Sequence, residues 1–285
     1  MNERNYEEMA IGNVDVGFIN DYKVWLQEKQ LANSTSSQYL HDLRSSLKEA
    51  SEKSVWHNKT SLDKLFQGLM KATVCKTEKP FVSQEVIGQM WSLNIEDALT
   101  PTARGDGKIL ERNIKKVNFA RDCFVFCFCS QGMDFLDMSR LKKENVIDDH
   151  IRYVRGKTNK EVTVEILPIM QEIMNRYKTK GKYLFPIIES ENEKDPEQNI
   201  ISAQRQYNKR LAMLAKLLGD GIKLTSQMPV YSWAVAAYRN GMAISKISEA
   251  MGYSSDFALR DFLLSLDEKE ESNDTNKKII NTIFG

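Results

Sequence analysis

The sequence predicts a mainly helical protein that carries one small antiparallel β-sheet. Apolar residues recur at helical spacing from Val14 to Val74 and again from Pro168 to the C-terminus. Between these stretches, residues 145–166 change to the alternation that is typical of paired strands. The chain has 285 residues, which is enough for two domains or one large one.

Three helices are predicted in the N-terminal part, at residues 13–75, after a loose polar tail at residues 1–12. Residues 33–35 and Thr60–Ser61 are the predicted N-caps of the second and third helix. The apolar faces of the three helices consist of Phe18, Tyr22, Trp25 and Leu26; of Tyr39, Leu40, Leu43 and Leu47; and of Leu62, Leu65, Phe66 and Leu69. Any small helical bundle fits this segment taken alone.

A second domain is predicted at residues 83–285, after a linker at residues 76–82 that contains alternating charges and a proline. It should contain helices around 83–98 and a long apolar helix over about 115–130. Further helices should follow from Pro168, the last of them capped by residues 272–275. Residues 156–159, Gly-Lys-Thr-Asn, separate the two alternating stretches and predict a hairpin turn.

Composition and charge restrict the class of protein. The chain has 40 basic and 39 acidic residues, so its net charge gives no strong indication of nucleic-acid binding, although local basic stripes can exist on a neutral protein. No apolar run approaches the roughly 20 residues that span a bilayer. Residues 1–12 are unlike a signal peptide. We therefore expect a cytoplasmic protein that has no membrane contact.

Three of the four cysteines lie close together in the apolar segment RDCFVFCFCSQGM. Cys123 and Cys127 share one helix face, and Cys129 follows two residues later. No histidine or second cysteine pair is near enough in sequence to complete a metal site. We therefore expect these cysteines to pack in the core, and we expect no metal and no cofactor.

Residues 224–267 resemble the C-terminal signature of the tyrosine recombinases, the phage integrase family. In that family a His-x-x-Arg pair opens a helix, a Gly-His follows, and the nucleophilic tyrosine comes after it. The frame is present here as Ser232-Trp233-Ala234, residues 244–249 and Gly252. The reactive positions are replaced: they hold Gln227, Val230, Tyr253 and Phe262.

The segment ARDCFVFCFCSQGMDFLDMSRLKKENV resembles the part of these integrases that carries the first catalytic arginine. In the subgroup of Bacteroides-type mobile elements, the expected triplet is Arg-Gly-Met, and its arginine position holds Gln131. In the other common register, Gly-Met-Arg, that position holds Asp134. Neither register supplies an arginine. Lys157, on the predicted hairpin turn, matches the family's general-acid lysine.

The resemblance implies a catalytic-type domain of the DNA breaking-rejoining fold, preceded by a helical SAM-like core-binding domain. The family implies DNA strand exchange, whereas the replaced residues imply that the chemistry is lost. Strand cleavage needs cations around the scissile phosphate and a nucleophile that forms a covalent phosphotyrosine, and phenylalanine cannot supply the latter. Contacts with phosphate need only charge, and the candidates are Arg152, Arg155, Lys157 and Lys160. A lysine on a hairpin turn can equally be a solvated turn residue.

We therefore expect an integrase homologue that binds double-stranded DNA without cleaving it, as an accessory factor, a competitor or a relic. Its other partner would be a second copy of itself or an intact recombinase. Two alternatives remain open. The chain could be an active recombinase that uses non-standard residues, or a module that binds a true recombinase and no DNA.

Overall fold

A computed structural model describes residues 11, 14–31, 33–53, 56, 61–66, 79–100, 107–188 and 196–284. The chain divides into two compact units, residues 1–78 and 79–285. Most described residues are helical, and three strands form one antiparallel sheet. The predicted fold class is thereby confirmed. The predicted domain limits of 13–75, 76–82 and 83–285 stay a prediction.

The described residues of the first unit form three helices: α1 (Val16–Glu28), α2 (Asn33–Glu52) and α3 (Leu62–Leu65). Helix α1 is capped by Asp15, whose carboxylate accepts a hydrogen bond from the backbone N–H of Phe18 at 2.8 Å. The buried apolar residues of this unit form one core. They are Val14, Ile19, Leu26, Leu40, Leu47, Ala50, Trp56, Leu65 and Phe66.

The predicted apolar faces of α1 and α2 are partly wrong. Ile19 and Leu26 are the buried residues of α1, whereas Trp25 is 46% exposed; Tyr39 of α2 is 45% exposed. Packing against α2 buries Ile19 and Leu26, which lie seven residues apart. The ring of Trp25 instead stacks on the ring of Tyr22, with 5.8 Å between the ring centroids. The predicted Thr60 cap, Leu69 and the side chains of residues 33–34 lie outside the described part of the chain.

The second unit contains the remaining elements. Its helices are α4 (Gln84–Ser92), α5 (Ile95–Leu99), α6 (Gly107–Cys129), α7 (Phe135–Arg140), α8 (Pro168–Arg176), α9 (Pro196–Leu218), α10 (Met228–Arg239), α11 (Ile244–Ala250) and α12 (Phe257–Phe284). Its strands are β1 (Val146–Ile147), β2 (His150–Val154) and β3 (Glu161–Glu165), paired in the order β1-β2-β3. No helix among the described residues is long and apolar enough to cross a bilayer.

Two helix limits differ from the sequence prediction. Helix α6 begins at Gly107 rather than near residue 115, because its first turns are largely exposed and lack the apolar pattern on which the prediction relied. Helix α12 continues through residues 272–275, where a new N-cap was predicted. Ser, Asn, Asp and Thr favour caps only as a local preference, and here the preceding turns of α12 override it.

Helix α6 forms the centre of the second core and contacts α4, α5, α7, α8, α9 and α10. Cys123 and Cys127 are buried in it, as predicted, and burial raises the pKa of both thiols. Asp122 is also fully buried; its carboxylate accepts hydrogen bonds from Arg121 at 2.9 Å and Arg176 at 2.5 Å. This network fixes the end of α8 against α6, because a buried carboxylate is tolerated only when it is paired.

The hairpin of β2 and β3 is confirmed. Ile151 pairs with Val164 and Tyr153 with Val162, and all four side chains are buried on one face of the sheet. The other face is exposed and carries Arg152. The turn at residues 155–160 therefore projects from a rigid pair of strands, next to the end of α6.

Candidate functional site

The turn after α6 lies directly against the start of α10. Gln131 and Gly132 both adopt the left-handed region, with φ of 58° and 72°. A Cβ atom at Gly132 would lie 3.0 Å from the carbonyl oxygen of Val230 and 3.1 Å from its Cα. Only glycine permits this approach without strain. The contact brings the predicted first arginine position, Gln131, next to Val230, the predicted position of the second arginine.

The hairpin turn is bonded to the end of α11. Arg155 donates through Nη1 to the carbonyl of Met251, Thr158 donates through Oγ1 to the carbonyl of residue 252 at 2.6 Å, and Lys160 donates through Nζ to the carbonyl of residue 253 at 2.9 Å. The last carbonyls of a helix have no partner within the helix, so cationic donors stabilise them. These bonds fix the turn of Lys157 beside Tyr253.

Gly252 permits the same contact from the other side. It has φ of 65°, and a Cβ there would lie 2.5 Å from the Cγ2 atom of Val162. The next residue, Tyr253, lies under Arg155, whose guanidinium carbon is 4.4 Å from the ring centroid. Glycine is thus a steric requirement at 252, and the ring of Tyr253 lies at the predicted histidine position.

The structure does not support the predicted contact between Arg155 and phosphate. Arg155 is only 3% exposed, its Nη1 is committed to Met251, and its buried Nε has no hydrogen-bond partner among the described residues. The side chain therefore joins the hairpin to α11 and faces the interior. The other three predicted phosphate ligands, Arg152, Lys157 and Lys160, are exposed.

Lys157, the residue that matches the family, is paired with Asp134. Its Nζ lies 2.5 Å from Oδ2 of Asp134, which is buried and also caps α7 by accepting from the backbone N–H of Leu136 at 3.3 Å. The alternative first-arginine position is therefore occupied by a carboxylate that neutralises the lysine. The pairing reduces the net positive charge that Lys157 presents to a phosphate.

A second buried carboxylate lies beside this pair. Asp137 accepts a hydrogen bond from the backbone N–H of Gly156 at 3.0 Å through Oδ1, while its buried Oδ2 has no partner among the described residues. Burial raises the pKa of Asp137, and the charge of Asp134 raises it further. Two carboxylates under the hairpin turn therefore offset the positive charge of Lys157.

A cavity of about 290 Å³ joins these elements. Four of the predicted catalytic positions contribute to its wall: Lys157, Gln227, Val230 and Tyr253. The remaining lining residues are Arg155, Thr158, Tyr231, Ser254 and Ser255. The three hydroxyl residues at 158, 254 and 255 were missed from the sequence; their only signal was adjacency to Lys157 and Tyr253.

Phe262, at the predicted nucleophile position, packs behind Tyr231 in an aromatic cluster. Its ring is edge-to-face with Tyr231 at 5.6 Å and with Phe81 at 6.2 Å, and the residue is 9% exposed. The amine of Lys79 lies 5.4 Å from the ring centroid. Residues 79–82, part of the predicted linker, are fixed to this cluster, since the N–H of Val82 also donates to Ser232 at 2.9 Å.

Comparisons with known proteins concern the fold and the N-terminal domain. Residues 2–63 match the family described as the phage integrase SAM-like domain. No curated protein matches the sequence. The structure is similar to a lambda integrase dimer bound to a COC′ core site, with a TM-score of 0.59 and 10% identity over 90% of this chain and 82% of that one.

Two further solved structures share the fold. The Tn1549 transposon integrase in complex with a circular intermediate DNA has a TM-score of 0.57 at 10% identity, over 88% of this chain and 82% of that one. The XerH site-specific recombinase bound to palindromic difH substrate, in a post-cleavage complex, has a TM-score of 0.55 at 14% identity. The match covers 92% of this chain and 72% of that one. The domain match and the shared fold confirm the resemblance to the tyrosine recombinases.

The contact at Gly132 can be tested by Gly132→Ala. We expect a lower free energy of unfolding, because alanine in the left-handed region costs roughly 1–2 kcal/mol and its Cβ would press on the backbone of Val230. Gly88→Ala in α4 is the matched control, since a Cβ there meets nothing within 4 Å and alanine favours a helix by roughly 0.5–1 kcal/mol. Urea denaturation compares the two. Equal stabilities for both variants would contradict the contact.

The burial of Asp137 can be tested through the pH dependence of stability. Because the pKa of Asp137 is raised in the folded state, the folded protein binds more protons than the unfolded chain above about pH 4 and loses stability as the pH rises through the folded pKa. Asp137→Asn removes this loss and keeps an oxygen for the Gly156 N–H. We expect the variant to unfold at higher urea concentration than the wild type at pH 7, with a difference that shrinks towards pH 4. A less stable variant at pH 7 would refute this account.

Proposed function

We propose that this chain is a tyrosine recombinase homologue that binds duplex DNA and does not cleave it by the tyrosine mechanism. The observation that carries the proposal is the position of Phe262, whose ring packs against Tyr231 beside the cavity. Covalent catalysis on phosphate needs an oxygen that attacks phosphorus and remains bound to it. Phenylalanine has no such oxygen, although its ring can keep the packing of a tyrosine.

The electrostatics of the cavity support the same proposal. The phosphoryl-transfer transition state gathers negative charge on the non-bridging oxygens, and removal of one preorganised hydrogen-bond donor typically costs about 3–4 kcal/mol. The predicted cationic positions hold Gln131, Val230 and Tyr253, and Lys157 is paired with Asp134. These effects need not be additive, but each one acts against cleavage.

An active recombinase would need a substitute phenol. Tyr231 and Tyr253 line the cavity. Burial raises the pKa of Tyr253, so its phenolate is disfavoured at neutral pH. Tyr231 packs on Phe262 and has the amine of Lys79 5.6 Å from its ring centroid. These two residues therefore define the alternative of an active enzyme with non-standard residues.

DNA binding is proposed to use the exposed cations of the hairpin. Arg152 lies on the exposed face of β2, Lys157 is 54% exposed at its side chain, and Lys160 follows the turn. The relatives of known structure are described as bound to DNA, two of them to a core site and a difH substrate. We extend this ligand to the present chain as a proposal, because phosphate contacts need charge and no catalytic group.

The organisation of the complex is also a proposal. Residues 13–75 would be the core-binding domain and residues 83–285 the catalytic-type domain, so that both contact one duplex. A second copy of the chain or an intact recombinase would be the protein partner. With such a partner, the chain would act as an accessory factor or a competitor, in the cytoplasm and in the context of a mobile element.

The DNA-binding proposal is tested by Arg152→Ala/Lys157→Ala. For a labelled random-sequence duplex, we expect weaker binding and a slope of log Kobs against log salt that is less steep by about 0.9 for each phosphate that is no longer neutralised. Lys115→Ala/Lys116→Ala on the exposed part of α6 removes the same charge elsewhere and should keep the wild-type slope. Fluorescence anisotropy between about 50 and 200 mM salt measures both. Unchanged DNA binding by Arg152→Ala/Lys157→Ala would favour the alternative of a module that binds a true recombinase and no DNA.

The absence of cleavage is tested by Phe262→Tyr. We expect no covalent protein–DNA band from this variant or from the wild type on nicked suicide duplexes that were first selected for binding from a random library. The new phenol would face a phosphate that lacks its cationic partners. A band from the wild type that disappears in Tyr231→Phe or Tyr253→Phe would establish a substitute nucleophile. A band from Phe262→Tyr alone would show that the cation site is functional.

A further inference from the structure

Five lysines from two separate segments meet at one edge of the second unit. Lys178, Lys180 and Lys182 belong to the sequence KTKGK and are exposed; we call residues 178–182 the lysine loop. An isolated β-bridge joins Lys142 to residue 183, and the N–H of Lys143 donates to the carbonyl of Lys182 at 2.9 Å. The lysine loop is thereby placed beside Lys142 and Lys143.

The lysine loop has a defined shape. The amine of Lys143 donates to the carbonyl of Thr179 at 2.7 Å, and the hydroxyl of Thr179 donates to the carbonyls of Gly181 and Tyr183. These bonds tie the backbone of the loop to itself and to the segment at 142–145. Because the backbone is held, the cost of ordering the lysines in a complex is confined to their side chains.

The local charge differs from that of the whole chain. Residues 142–145 and 178–183 contain five lysines and one acidic residue, Glu144, which gives an excess of four positive charges (5 − 1), whereas the chain as a whole carries +1. Glu144 pairs with Lys142 at 3.0 Å. Such a concentration of one sign on a neutral protein produces a local field that attracts an anionic partner.

This surface is continuous with the hairpin. The side-chain amide of Asn145 donates to the carbonyl of Arg152 at 2.8 Å. A cavity of about 580 Å³ is lined by Lys142, Asn145 and Lys157, together with the acidic residues Asp134, Asp137 and Glu144. The segment at 142–145, to which the lysine loop is bonded, therefore contacts β2, and Lys142 shares the lining of one cavity with Lys157.

We propose that the lysine loop, with Lys142 and Lys143, is a second surface that binds the phosphates of duplex DNA, beyond the stretch that the hairpin contacts. Protein–protein interfaces concentrate aromatic residues at their centre and are poor in lysine, whereas this surface consists of lysines around a short polar loop. Contacts from lysine to phosphate set affinity and position without reading sequence. The proposal rests on the proposed function, since it extends the same duplex.

The test is the triple variant Lys178→Ala/Lys180→Ala/Lys182→Ala of the full chain. We measure the anisotropy of a long and a short random-sequence duplex. The short duplex has the minimum length at which the wild-type hairpin still binds it. For the long duplex, the slope of log Kobs against log salt should become less steep by about 0.9 for each lysine that contacts phosphate. For the short duplex it should not change. Lys178→Arg/Lys180→Arg/Lys182→Arg keeps the charge and should restore the wild-type slope on the long duplex.

The matched control is Lys108→Ala/Lys115→Ala/Lys116→Ala, which removes three exposed charges from α6. The second surface is overturned if the triple variant of the lysine loop behaves like this control on the long duplex while Arg152→Ala/Lys157→Ala still weakens binding. That result leaves the proposed function standing. A wild-type protein that binds neither duplex overturns the proposed function itself. Circular dichroism of each variant shows that weaker binding does not come from unfolding.

Discussion

The approach of Gly132 to the backbone of Val230 is the contact on which the site depends. It joins the end of α6, the central helix of the second core, to the start of α10 and leaves no room for a Cβ atom between them. The cavity forms where this junction meets the hairpin, which is held in turn by the carbonyls of residues 251–253. The glycines at 132 and 252 are steric requirements of the frame. The reactive side chains around them are not, so the frame can persist after they are replaced.

The cavity has uncharged side chains at three of the predicted catalytic positions, Gln227, Val230 and Tyr253. Val230 packs in a buried apolar cluster with Phe262. The ring of Tyr253 lies under the guanidinium group of Arg155. Asp134 turns the surroundings of Lys157 from basic to neutral. Binding of DNA and attack on its phosphate have separate requirements, because the first needs exposed charge and the second needs a nucleophile in a preorganised cationic site. The second unit has exposed lysines on the hairpin and the lysine loop, whereas the predicted nucleophile position holds Phe262, which packs against Tyr231.

Much of the architecture could be predicted from the sequence, since the hairpin follows from alternation and the helices from their apolar period. The apolar face of α1 could not, because Ile19 and Trp25 are both apolar and only packing against α2 decides which is buried. Nor could the burial of Arg155 or the Lys157–Asp134 pair, since each partner is distant in sequence. The lysine loop is visible in the sequence as a charge run, but its place beside Lys143 depends on a bridge between segments that no local pattern predicts.

The most direct test of the central claim separates binding from attack in one experiment. A duplex with a sulfur atom in place of the bridging 5′-oxygen has a leaving group that needs no general acid, so any phenol that can reach phosphorus is trapped as a covalent adduct even when Lys157 is neutralised. The wild-type chain is incubated with such duplexes at a concentration where anisotropy shows them to be bound, then denatured and weighed by intact mass spectrometry. The account predicts bound DNA and only the mass of the free chain. A mass increased by a DNA strand, and mapped to a tyrosine, would contradict it.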